Sequence, residues 1–225
     1  MDNNKLQERF NEIGKEHKYD TVNAEFAAFK EFKVRWQRSY KWADFKVSDY
    51  LTDAPLEVID GLAETLFTRI CARRDPGFSE GLCDWVTKPE FSKYKQPIYL
   101  KRSRNLTRSH QGEFKDLNDS YRRLVDSGLV EDDPSIFLSW TKGSSGRKGG
   151  QCSVLMKVVA VSSALDDPDV PEYVVDYVMY HELCHLIIGF DPTSERHDRE
   201  FADLESKYPR QKEAEEWLRK ACIYL

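Results

Sequence analysis

No apolar run in this chain of 225 residues approaches the roughly 18–20 needed to cross a bilayer. The opening segment, MDNNKLQERFNEIGKEHKYD, has no apolar stretch flanked by basic residues, so neither a membrane span nor an export signal is expected. Cysteine is scarce and unpaired in pattern. Cys71, Cys83, Cys152, Cys184 and Cys222 are odd in number and contain no C-x-x-C, which excludes a disulfide scaffold and a zinc ribbon and fits a reducing cytoplasm. Positive charge is not in excess either: 34 Lys and Arg against 39 Asp and Glu leave a net charge of -5, which argues against bulk binding to nucleic acid. Internal repeats, low-complexity tracts and a convincing linker are all missing, so one domain spanning residues 1–225 is the simplest reading.

What is present is a foldable composition. Apolar residues make up 40% of the chain and aromatics 12%, enough for a core that needs no metal staple. A bound metal therefore need not be structural. Residues 3–16 and 22–30 read as helices of an N-terminal extension over residues 1–30. FKVRWQRSYKWADFKVSDYL alternates apolar and charged residues with period two, the pattern of two strands joined by a hairpin near residues 39–43. Leu56, Ile59, Leu62, Leu66 and Ile70 recur at helical spacing within residues 55–73.

Farther on, PIYLK (97–101) is a short strand candidate, and Phe114, Leu117, Tyr121 and Leu124 mark a helix closed by Gly128. IFLSW (136–140) and CSVLMKVVAVSS (152–163) are β-rich and flank TKGSSGRKGGQ, a loop that would close a hairpin or cover a cleft. DDPDVPEYVVDYVMYHELCHLIIG is punctuated as one helix, with Pro171 at its first turn, acidic Asp169 and Glu172 at its positive end and Gly189 at its stop. A helix over residues 197–207 follows, and Pro209 opens a last one carrying Ala214, Trp217, Leu218 and Cys222.

The chemistry lies in YHELCHLIIGFDPTSERHDREF. Residues four apart share a helix face, so His181 and His185 can aim both imidazoles at one point, and Glu182 beside them can reach a water there without being a ligand. This is the physical basis of His-Glu-x-x-His in zinc hydrolases. Val174, Val175, Val178, Leu183, Leu186, Ile187 and Ile188 surround the pair with apolar faces, and histidines in such a helix need partners, which a metal supplies. A catalytic zinc takes three protein ligands. Gly189 permits a turn and the seven residues 190–196 return the chain, which makes His197 the favoured third ligand; Glu205 and Glu200 are the acidic alternatives. The compact metzincin pattern does not apply, since Ile188 stands where it needs glycine. Cys184, between the histidines in sequence, reads as core and not as a ligand.

On GGQCSVLMKVVAVSS, VPEYVVDYVMYHELCHL and HDREFADLESKYP, the chain resembles the SprT-like and YgjP-like zinc metallopeptidases. In that group a Gly-Ser-Cys turn begins a strand, a helix carries His-Glu-Leu-x-His, and a later His-x-x-x-Phe or Trp supplies the third ligand; here Gly150, Gln151 and Cys152 take the turn, and His197 with Phe201 the last motif. The likeness covers roughly the C-terminal 85 residues. It departs in RKGGQC, where the group has Arg-Trp-Gly-Ser-Cys, and in a spacer between His185 and His197 longer than in YgjP-like members and shorter than in many SprT-like ones.

The resulting expectation is a zincin-like α+β domain, with a small, twisted, mostly antiparallel sheet on the 171–188 helix and the metal-binding core in residues 136–225. The expected activity is zinc-dependent peptide hydrolysis, with Zn2+ on His181, His185 and His197 and Glu182 as general base, acting on a peptide or protein substrate. Tyr180 and Tyr208 are candidate oxyanion donors, and CSVLMKVVAVSS is the candidate strand for pairing with an extended substrate. Two rival readings are a DNA-associated SprT-like protease and a non-catalytic metal- or peptide-binding module. The DNA reading would use Lys101, Arg102, Arg104, Arg108, Arg122, Arg123, Arg147 and Lys148 on phosphates, and the intact Glu182 argues against the module.

Overall fold

A computed structural model describes residues 1–72, 76–143, 147–191 and 199–225. The chain divides into two compact units, Met1–Phe91 and Ser92–Leu225. Among the described residues there are eight α-helices and two three-stranded sheets, so the α+β class holds. No described helix is long and apolar enough to cross a membrane.

The first unit holds α1 (Asn3–Glu16), β1 (Thr21–Ala27), β2 (Val34–Arg38), β3 (Trp42–Ser48), α2 (Leu56–Ala72) and α3 (Glu80–Thr87). Asp2 starts α1 by accepting from the Lys5 N–H at 2.9 Å. The hairpin read near residues 39–43 joins β2 to β3, whereas residues 22–30, read as helix, begin in β1, which pairs parallel with β3. Val22 and Ala24 are buried while Thr21, Asn23 and Glu25 are exposed, so period two governs that segment. Phe10, Phe45 and Phe67 meet in the core of this unit, with Phe10 and Phe45 ring centroids 5.1 Å apart.

The second unit carries α4 (Pro89–Arg102, from residue 92 on), α5 (Leu117–Asp126), β4 (Phe137–Trp140), β5 (Gly150–Ser153), β6 (Val158–Val161), α6 (Glu172–Ile188), α7 (Arg199–Glu205) and α8 (Gln211–Lys220). PIYLK is not a strand; it continues α4, with Pro97 inside the helix. Residues 152–163 are not one strand. They turn after Ser153, with Lys157 at φ 49°, and return as β6, which pairs antiparallel with β5 and parallel with β4. β4 and β5 are therefore edges around a central β6, not the two arms of a hairpin; residues 144–146 of the loop between them lie outside the described residues. Both sheets are mixed, each with one parallel and one antiparallel pair.

α6 is buried continuously from Val174 to Cys184 and forms the axis of this unit, packed by β5 and β6, by α5 and by α7 and α8. A helix that is apolar on every side belongs inside a core. Pro171 caps its start, and Gly189, at φ 86°, ends it while its N–H donates to the His185 carbonyl at 3.1 Å. Polar ties fix α5 on it: Ser120 Oγ donates to Asp176, and the Arg123 guanidinium holds Asp176 at 2.7 and 2.8 Å and Glu172 at 2.6 Å.

Candidate metal centre

His181 and His185 lie one turn apart on α6, their ring centroids 5.4 Å apart and their planes nearly perpendicular. Phe201 of α7, only 2% exposed, touches both imidazoles, at 5.0 Å from the first ring and 4.6 Å from the second. α7 is thus docked on the histidine pair by an aromatic contact. His197, the favoured third ligand, lies outside the described residues. Among the described residues no three His, Cys, Asp or Glu side chains make up a complete metal site. The donor set that is described, two imidazoles on one helix face, suits a borderline-soft divalent ion such as zinc.

Glu205, an alternative third ligand in the sequence, lies against His181. Its Oε1 is 2.6 Å from His181 Nδ1 and 2.9 Å from the Tyr177 hydroxyl, which donates to it. Glu200, the other alternative, is exposed on the first turn of α7. Cys184 is fully buried in the apolar cluster, and that burial pushes its thiol up to about 12, as expected of a core residue.

Glu182 is 4% exposed, and burial raises its carboxyl to about 7 against the opposing pull of His181 and Lys148. Its room comes from β5. A methyl group on Gly150 would lie 2.5 Å from Glu182 Oε1 and 2.8 Å from Cγ, so only glycine lets the strand and the carboxylate approach this closely. Successive strand residues face opposite sides, which puts Gly150 and Cys152 on one face; the Cys152 thiol is pushed well up by burial and then by the Glu182 charge. The doubled glycine in RKGGQC is the one signal in the sequence of this close approach.

The two candidate oxyanion donors both have backbone carbonyl partners. Tyr180 donates to the Leu204 carbonyl at 2.8 Å and Tyr208 to the Tyr173 carbonyl at 2.9 Å, and both rings are buried. Of the cations considered for phosphate contact, Arg108 binds the Leu100 and Lys101 carbonyls at the end of α4, and Arg123 is held by Asp176 and Glu172.

Residues 168–221 match the family model described as YgjP-like, metallopeptidase domain, in agreement with the resemblance carried by HELCH and the segment after it. The match takes in α6, α7 and α8, the elements that carry His181, Glu182, His185, Phe201 and Glu205. No curated protein and no solved structure matches the chain.

Proposed function

We propose that this protein is a zinc-dependent metallopeptidase, with His181, His185 and His197 as metal ligands and Glu182 as general base. The observation that carries the reading is the placement of Glu182: a buried carboxyl beside two imidazoles on one helix face, accommodated by the bare backbone of Gly150. A carboxyl held near neutrality is matched to taking and returning a proton at working pH, whereas an ordinary surface glutamate is too acidic to return one readily. When bound, zinc supplies the Lewis acidity that activates water and polarises the scissile carbonyl. Glu182 takes the proton of the attacking water on a carboxylate oxygen and delivers it to the leaving amine. The matched metallopeptidase domain supports the same chemistry.

An extended peptide is the substrate form that suits the site. Among the described residues β5 is an edge strand; Tyr224 pairs with the backbone just before it, and β5 itself runs past Glu182 at Gly150, so a substrate strand added along Gly150–Ser153 would carry its scissile bond beside the carboxyl. β6 is central and has no edge to offer, which narrows the candidate pairing strand to β5. The test is proteolysis of an unstructured protein by zinc-loaded wild type and Glu182→Gln, with metal content measured on both. Cleavage by the wild type, lost in the variant at unchanged metal content, is the expected result; equal cleavage by both removes Glu182 from the mechanism.

A further inference from the structure

Behind His181 runs a chain of hydrogen bonds that links three helices. Glu205 of α7 meets His181 Nδ1 at 2.6 Å and accepts from Tyr177 Oη at 2.9 Å; the same hydroxyl lies 2.9 Å from Glu215 Oε1 on α8, and Glu215 accepts from Gln211 Nε2 at 2.9 Å. We propose that Glu205 is a positioning residue of the metal centre, holding His181 as the Nδ1–H tautomer so that Nε2 faces the ion, while Tyr177 ties Glu205 to Glu215 and hence to α8. This rests on the reading of His181 as a ligand.

Three observations carry it. The contact between Nδ1 and a carboxylate is short, as a charge-assisted bond is, and the Glu205 side chain is only 15% exposed, so its orientation is fixed by its partners and not by water. The two ring nitrogens face different directions, and an oxygen seated on Nδ1 lies on the side of the ring away from an ion at Nε2. Glu205 therefore fits the orienting carboxylate that ligating histidines commonly have, and not the third ligand. Tyr177 and His181 are four residues apart on α6, so both present to α7 from one face, and Glu205 bridges them. The Tyr177 hydroxyl carries a single proton between two carboxylates, which makes it a hinge of the chain and not a second anchor of equal strength.

The experiment has two readouts. In metal-free protein, nitrogen NMR of labelled histidine is expected to show His181 with its proton on Nδ1, and Glu205→Ala to lose that preference. In competition with a chelator, zinc affinity is expected to fall about 10–100-fold in Glu205→Ala and less in Glu205→Gln, which keeps an acceptor oxygen. Tyr177→Phe should fall by a smaller factor. A folded Glu205→Ala protein with wild-type zinc affinity and an unchanged tautomer overturns the proposal. So does a cobalt-substituted spectrum in which Glu205→Gln changes the ligand set, because Glu205 would then bind the ion itself. If Glu205→Ala does not fold, Glu205→Gln decides by the same two readouts. His181→Ala separates the two levels: equal zinc binding with and without His181 removes the metal reading, while the metal-free tautomer still tells whether Glu205 orients the ring.

Discussion

Gly150 and Glu182 approach so closely that the first carbon of any side chain at position 150 would fall 2.5 Å from the carboxylate oxygen. Strand β5 and helix α6 are thus fitted to each other at the Glu182 carboxylate. Gly150→Ala is expected to displace the Glu182 side chain and lower peptidase turnover by on the order of 10²-fold, the lower end of what a general base contributes. Zinc affinity should stay at its wild-type value, because the imidazoles are not on that path. A variant with full turnover would mean that the carboxyl works from another position.

The same carboxyl makes stability depend on pH. Glu182 stands at about 7 in the folded metal-free protein against an ordinary 4.5, so the fold binds its proton more tightly than the unfolded chain does. The stabilisation, about 3 kcal/mol, is fully present below pH 4.5 and is lost as pH rises through 7. Urea melts of metal-free protein from pH 4.5 to 8 should therefore show stability falling with pH over this window, less steeply in Glu182→Gln. Identical slopes in the two proteins would show that Glu182 is solvated and unshifted.

Asp176 is the other buried acid of α6, and its partners differ in kind. Arg123 grips it with two nitrogens, whereas Glu172, bonded to the same guanidinium, is exposed. Arg123→Ala leaves a buried charge with Ser120 alone among these partners and should cost about 2–3 kcal/mol in urea unfolding. Glu172→Gln should cost under about 1 kcal/mol, as exposed pairs do. Equal losses from the two substitutions would place the weight of this cluster at the surface.

How far the sequence reveals this molecule depends on the range of the interactions involved. The HELCH helix is legible because its signals are local: four-residue spacing, a proline at the cap and a glycine at the stop all fall within residues 171–189. β1 reads as helix although Val22, Ala24 and Phe26 alternate, because its pairing partner β3 is a strand away in the chain and short apolar runs do not choose between periods alone. PIYLK reads as a short strand, yet α4 runs through it with Pro97 inside the helix and Phe91 and Tyr99 buried on either side. The parallel pairing of β4 with β6 has no local signature. Glu205 is visible as an acid near the site, but whether a carboxylate meets the ion or the far nitrogen of a ligating imidazole is geometry beyond spacing.

Metal content decides the reading of the whole site. Wild-type protein purified with zinc supplied is expected to hold about one ion per chain, set by a three-ligand catalytic site. On the proposed ligand set, His197→Ala should weaken that binding, leaving only the α6 pair, whereas Glu182→Gln should keep the ion and lose turnover. Elemental analysis of the three proteins, dialysed against the same buffer, separates these roles without any substrate. His197→Ala with undiminished zinc would transfer the third position to another donor. No zinc in wild type would make His181 and His185 core residues, held by Glu205 and Phe201 for packing alone.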